Sequence, residues 1–186
     1  MTVYSGLLFV HIAATLGLFA GFGLEWSAIL QLRRTASVEL ARAWVGVFGP
    51  LGRLYGISLA TILISGALLA RIVGFWGAAW LYVAFGAMAL LPALGPVVSR
   101  RRIGLLRRAL DAERGSTSPT FRERARDPWL FMSLQLRTGA ALAVVFLMTT
   151  KPELVTSLAV TAGAIALASL PSLRPRGRTI SHLFAQ

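Results

Sequence analysis

Long apolar runs alternate along the chain with short stretches rich in arginine. About 20 apolar residues in a helix, at a rise of 1.5 Å per residue, cross the ~30 Å hydrocarbon core of a bilayer. The sequence therefore predicts an all-α fold, a polytopic transmembrane helical bundle in which residues 1–186 form a single integral membrane domain. Five spans are expected, or four if the last hairpin is not fully inserted. The expected spans lie at about residues 6–26, 54–73, 78–98, 130–149 and 154–170.

The first run carries its polar residues on one helical face. Steps of three and four residues place the polar residues His11, Thr15 and Glu25 on the same face as Leu18 and Phe22. We call this face the polar stripe. An ionisable group in hydrocarbon costs about 2.5 kcal/mol or more, so we expect the stripe to face protein or a wet cavity instead of lipid.

A second stripe on the same run consists of small residues. Ala13, Gly17 and Gly21 recur every four positions, a spacing that lets another helix backbone approach closely. We therefore expect the first helix to be buried in the bundle. Faces rich in glycine and alanine would also suit a homo-oligomer or a membrane complex.

The stretch between the first and second runs leaves two alternatives open. Residues 35–42 predict a short surface connection. Residues 43–53 are apolar but are broken by glycines and by Pro50. They are therefore either interfacial or part of a kinked second span.

The longest hydrophilic segment is the basic stretch at 99–128. Within it, residues 103–110 have the composition of a basic amphipathic helix on anionic headgroups, and residues 115–120 that of a flexible loop. A second basic segment is the tail at 173–186. The arginines expected to contact lipid headgroups are Arg100, Arg101, Arg102, Arg107 and Arg108.

The distribution of charge predicts the orientation. If five spans alternate sides, 17 of the 19 Lys and Arg residues fall on one side, and only Arg71 and Lys151 fall on the other. Cytoplasmic connections carry the excess of positive residues, which places the N-terminus outside and both basic segments in the cytoplasm. A single Lys among many Arg, with abundant Ala and Gly, is typical of a high-GC bacterial genome, so we expect the bacterial cytoplasmic membrane.

Composition excludes several classes of protein. The chain is 56% hydrophobic, has a formal net charge of +12 and contains no Cys. Because its arginines lie between long apolar runs, the expected partner is an anionic lipid bilayer and not nucleic acid. The lack of Cys excludes disulfides, Fe–S clusters and thiolate zinc sites, and no other metal site is expected.

Arg137 is an unusual residue for a membrane span, and the fourth run cannot cross without including it. Glu25 is the only carboxylate inside a predicted span, and both residues belong to the cytoplasmic half. The sequence therefore suggests an intramembrane Glu25–Arg137 ion pair, with Arg53 as the competing partner. In the alternative, Arg137 snorkels to the headgroups and Glu25 lies at the interface.

His11 has two interpretations. It is either an axial ligand of haem b buried between helices, with Gly17 and Gly21 making room for the macrocycle, or a histidine hydrogen-bonded to a neighbouring helix. In the second case the partner would be Ser65 or a backbone carbonyl.

The first half of the chain resembles a set of small bacterial membrane proteins. The early histidine and glycine-rich middle of the first run are similar to those of the copper-resistance D-like proteins and of the membrane-embedded protoporphyrinogen oxidase that carries haem b. The resemblance maps the recurrent first-helix histidine of that set onto His11. The segment Trp80 to Ala84 is similar to the set's Trp-Leu-His-Val-Lys pattern, but Tyr82 and Ala84 replace its histidine and lysine, so porphyrinogen oxidation is not implied.

No nucleophile and base pair, phosphate-binding loop, metal-ligand cluster or catalytically spaced pair of carboxylates is visible in the sequence. The leading hypothesis is a non-enzymatic inner-membrane protein, either an accessory or packing subunit or a binder of a small lipophilic ligand. One alternative is a haem-b-binding redox protein that uses His11. A second is a small transporter that uses Glu25 and Arg137.

Overall fold

A computed structural model describes residues 2–111 and 113–173, without the side chains at positions 94, 96–98 and 171–173. Six helices make up most of this described part, which confirms the all-α prediction. The predicted basic tail lies outside the described residues from position 174 onward. The helices are α1 (Val3–Arg34), α2 (Val38–Val73), α3 (Ala79–Asp111), α4 (Pro119–Ala125), α5 (Pro128–Thr150) and α6 (Leu154–Leu173).

Three stretches are long and apolar enough to cross a membrane. They are Val3–Arg34, Val38–Val73 and Pro119–Thr150, the last of which combines α4 and α5. Two shorter apolar helical runs are Ala79–Ala93 and Leu154–Leu170. The described chain therefore has the helix lengths and composition of a membrane protein.

The helices pack as two groups. α1 and α2 form an extensive hairpin, whereas α5 packs between α3 and α6. α1 also touches α5, and α2 touches α3, each over a much smaller surface than the one between α1 and α2. This sparse α2–α3 contact leaves space between those two helices.

Helix α2 begins earlier than the sequence predicts. It is continuous from Val38 to Val73 and includes Pro50, so residues 43–53 belong to the second helix, as one of the two alternatives predicts, and residues 38–42 are helical instead of a surface connection. Its start is capped by the Ser37 hydroxyl, and Val38, Ala41 and Val45 are buried on one face. Burial of this face holds the segment helical although Pro50 removes a backbone donor.

Helix α3 also continues beyond its predicted end. It reaches Asp111, and its side chains Ile103, Leu106 and Leu110 are buried in the protein core. Residues 103–110 are thus helical, as predicted, but they form the end of α3, and these three apolar side chains pack on protein. Arg102 forms an ion pair with Asp127, at 2.7 Å, which joins α3 to the start of α5.

The segment after α3 is anchored, in contrast to the predicted flexible loop. The Val38 amide donates to the Gly115 carbonyl at 3.0 Å, and the Thr117 amide donates to the Ala36 carbonyl at 2.8 Å. These bonds tie the loop to the turn between α1 and α2. The short helix α4, which the sequence did not predict, follows directly and buries Phe121.

The small-residue stripe of α1 meets α2 over part of its length. A Cβ on Gly17 would lie 3.1 Å from the Ser58 Oγ, and a Cβ on Gly21 would lie 2.6 Å from the Tyr55 ring. Ala13 is exposed, so the predicted stripe does not extend to it.

Substitution by alanine should have opposite effects on stability at two helical glycines, Gly139 in α5 and Gly163 in α6. A Cβ on Gly139 would lie 2.9 Å from the Ala168 Cβ and 3.0 Å from the Ala164 carbonyl oxygen. We expect Gly139→Ala to separate α5 from α6 and to lower stability by about 1–3 kcal/mol, as overpacking does. The measurement is SDS-induced unfolding of the protein in dodecyl maltoside micelles.

The matched control is Gly163→Ala in α6, where a Cβ would meet nothing within 4 Å. Its stability should be unchanged or higher by up to about 1 kcal/mol, because alanine favours a helix more than glycine does. Equal effects of the two substitutions would contradict the α5–α6 packing.

Candidate functional site

The polar stripe of α1 points into the protein, as predicted. His11, Leu18, Phe22 and Glu25 are all buried. Thr15 is half-buried, and its hydroxyl donates to the His11 carbonyl at 2.8 Å, within the helix. The two ionisable groups of the stripe are therefore shielded by neighbouring helices.

Glu25 and Arg137 are in direct contact. Arg137 Nη2 donates to Glu25 Oε1 at 2.6 Å, and the two side chains are only 5% and 3% exposed. This is the partner that the sequence suggests for Arg137; Arg53 does not take its place. A charge-assisted hydrogen bond of this kind is shorter and stronger than a neutral one.

Tyr55 of α2 completes the cluster, and the sequence analysis did not single it out. Its hydroxyl donates to Glu25 Oε2 at 2.7 Å, so that each carboxylate oxygen has a separate donor. The Arg137 guanidinium carbon lies 5.7 Å from the centre of the Tyr55 ring and 5.9 Å from that of Phe22. Both distances are within the range of a cation–π contact.

A fourth helix, α3, packs against the Arg137 guanidinium. A Cβ on Gly95 of α3 would lie 3.2 Å from Arg137 Nη1, so the arginine rests directly on the α3 backbone. Arg137 Nε also donates to the Ser133 carbonyl at 3.3 Å. The ion pair therefore lies where α1, α2, α3 and α5 meet.

The cluster faces a cavity of about 590 Å³ between α1, α2 and α3, which we call the central cavity. This volume is in the range of pockets that hold small ligands. One end has apolar walls, and the other end carries arginines. The apolar end is lined by Leu18, Phe22, Leu59 and Leu91, and the basic end by Arg53, Arg100 and Arg107.

Glycines form part of the wall of the central cavity. Gly52 and Gly56 of α2 and Gly104 of α3 all line the central cavity, and a Cβ on any of them would meet nothing within 4 Å. Glycine in a membrane helix is usually a sign of close helix packing. Here the missing side chains leave open volume.

His11 takes part in the contact between α1 and α2, outside the central cavity. Its Nδ1 lies 3.0 Å from the Ser65 Oγ, the partner named in the second interpretation of this residue. A Cβ on Gly66 would lie 3.1 Å from His11 Cε1, so the ring packs closely against α2 where residue 66 has no side chain. The contact with Ser65 leaves Nε2 as the ring nitrogen that could hold a haem iron, so ligation of haem b by His11 stays a prediction from the sequence.

The arginines predicted at lipid headgroups are in several different environments. Arg102 is paired with Asp127, and Arg100 and Arg107 line the central cavity. Arg101 and Arg108 are exposed on α3. Contact with lipid headgroups stays a prediction for all five arginines.

Comparison with protein-family models, with curated proteins and with solved structures finds no match for this chain. The resemblance of its first half to the copper-resistance D-like and protoporphyrinogen-oxidase-like proteins therefore stays a prediction from the sequence.

The buried ion pair predicts a non-additive mutant cycle. Glu25→Gln leaves the Arg137 charge buried without a counter-ion, and Arg137→Gln does the same to Glu25. Removal of one partner from a buried pair typically costs about 3–5 kcal/mol. We expect each single variant to be destabilised by about that amount in SDS titration, and the double variant to lose less than the sum, because neither charge is left alone.

Glu153→Gln is the control, because Glu153 is an exposed acid at the start of α6. Its effect should lie within about 0.5 kcal/mol. Additive losses in the Glu25 and Arg137 cycle would contradict an energetic coupling between the two side chains.

Proposed function

We propose that this chain is a multi-pass protein of the bacterial cytoplasmic membrane that binds a small lipophilic ligand in the central cavity and catalyses no reaction. In this proposal the chain crosses the membrane five times, with its N-terminus outside and its C-terminus in the cytoplasm. The observation that carries it is the central cavity itself, about 590 Å³ in volume, apolar at one end and in contact with a buried ion pair. The ligand-binding form of the leading hypothesis is thereby preferred to a purely packing subunit.

The positions of the helix ends support this orientation. The turn between α1 and α2 is hydrogen-bonded to the loop after α3, so these two connections lie at the same end of the bundle. Arg42 reinforces the join, since its Nη2 donates to the carbonyls of Leu110 and Glu113. Most of the basic residues thus gather at one end, which the positive-inside rule assigns to the cytoplasm.

A transporter is the second candidate, because Glu25 and Arg137 line the central cavity. Its apolar end reaches Leu18 and Leu59, and further along the hairpin α1 and α2 are in contact where the His11 ring meets Ser65 and Gly66. A transport cycle would have to open this contact. Flux of a lipophilic substrate in reconstituted vesicles that Glu25→Gln abolishes would favour transport over binding alone.

Ligand binding is tested by filling the central cavity. Leucine at position 56 would extend into open volume, so Gly56→Leu should fold and lose its ligand. We expect native mass spectrometry of protein purified from cells in mild detergent to detect a retained lipophilic molecule on the unmodified chain and not on Gly56→Leu.

The matched control is Gly23→Leu in α1, where a Cβ also meets nothing within 4 Å but where the residue does not line the central cavity. This variant should retain the same mass. If the unmodified chain retains no lipophilic molecule, or if both variants lose it equally, the central cavity is not the binding site.

The topology is tested by cysteine labelling, which needs no background removal because the chain has no Cys. Glu153→Cys and Ser116→Cys introduce exposed thiols at opposite ends of the bundle. A membrane-impermeant maleimide should label position 153 in intact spheroplasts and position 116 only after lysis. The reverse pattern would overturn the orientation, and labelling of both positions in intact spheroplasts would overturn the number of spans.

A further inference from the structure

We propose that the central cavity takes an anionic amphiphile with a single hydrocarbon chain, whose acidic head is bound by Arg53, Arg100 and Arg107. The hydrocarbon chain would lie against the apolar end. This inference rests on the proposed function and adds the chemical class of the ligand.

The first argument is charge. Four arginines and one carboxylate line the central cavity, a formal charge of +3. Glu25 neutralises Arg137, whereas in the described part of the chain no ion pair forms at Arg53, Arg100 or Arg107. Three guanidinium groups around one space form a site for a carboxylate or phosphate, which arginine binds through paired hydrogen bonds.

The second argument is the placement of these arginines. Arg100 and Arg107 are seven residues apart on α3 and therefore share a face two turns apart. Arg53 lies on α2, on the other side of the gap. A Cβ on Gly49 of α2 would be 3.6 Å from Arg107 Nη2, so Arg107 reaches across the gap from α3. The basic end thus has arginines on both helices, and all three are exposed.

The charge of Glu25 does not oppose an anion at this site. One of its oxygens accepts from Arg137 and the other from Tyr55. The charge of Glu25 is therefore offset by Arg137. Arg53, Arg100 and Arg107, which form no ion pair among the described residues, remain available to bind an incoming head group.

The shape of the central cavity indicates one hydrocarbon chain. Its lining on α3 runs from Leu91 to Arg107, which is about 24 Å along a helix axis at 1.5 Å per residue. A volume of about 590 Å³ spread over that length is a long and narrow space. Such a space suits a single extended chain, and Leu18, Phe22 and Leu59 form its apolar wall.

The experiment compares three probes by native mass spectrometry of the full chain in a neutral detergent. The probes are palmitate, 1-hexadecanol and inorganic phosphate at equal concentration. Hydrogen bonds to charged groups strengthen binding by a factor of about ten or more, so palmitate should be retained at least about tenfold better than hexadecanol. Inorganic phosphate alone should not be retained.

Two sets of variants assign the preference to the central cavity. The double variant Arg53→Gln with Arg100→Gln should bring palmitate down to the level of hexadecanol. The control double variant, Arg101→Gln with Arg108→Gln, removes the same charge from exposed residues outside the central cavity and should keep the preference. Gly56→Leu should abolish retention of both chain compounds.

Each other outcome has a distinct meaning. Equal retention of palmitate and hexadecanol by the unmodified chain would overturn the anionic head and leave the proposed lipophilic site intact. Retention of neither compound would overturn both proposals. Retention of inorganic phosphate that Gly56→Leu does not affect would show an anion site alone and would overturn the hydrocarbon chain.

Discussion

The ion pair between Glu25 and Arg137 is the constraint on which the arrangement of the helices depends. Two opposite charges taken out of water each lose several kcal/mol of hydration, and only close approach with the remaining polar atoms satisfied offsets this loss. Here the carboxylate bonds to Arg137 and Tyr55, and the guanidinium rests on the backbone at Gly95. Apolar packing gives little preference for one neighbour over another when lipid is equally apolar. The charges supply that preference, and they fix α1, α2, α3 and α5 at a common point.

Glycine serves two opposite purposes around this point. In α1, the absence of a side chain at Gly21 brings the Tyr55 ring close enough to reach Glu25. In α2 and α3, the absence of side chains at Gly56 and Gly104 leaves the central cavity open beside the same ion pair. A tight helix hairpin and a hollow therefore lie next to each other. The rigid hairpin positions the polar groups, and the hollow is where another molecule would meet them.

The features that could be predicted from the sequence are those that carry an energetic penalty in lipid. A charged or polar residue in a span has few possible partners, which is why Glu25 and Arg137 could be matched and Ser65 could be named for His11. Tyr55 carries no comparable penalty, so nothing marked it as part of the cluster. The start of α2 at Val38 depends on burial against distant parts of the chain, which local periodicity does not show. The same spacing of glycines, finally, describes both close packing and open space, so the central cavity could not be predicted.

The hydrogen bond from Tyr55 to Glu25 has a consequence for the order in which the molecule is assembled. Chains generally fold from the N-terminus as they are synthesised, and Arg137 follows Glu25 by 112 residues, whereas Tyr55 follows it by only 30. The hairpin of α1 and α2 is therefore synthesised before Arg137, and in it Glu25 already accepts a hydrogen bond from the Tyr55 hydroxyl. Tyr55 thus gives Glu25 a hydrogen-bond donor during the period in which Arg137 has not yet been synthesised.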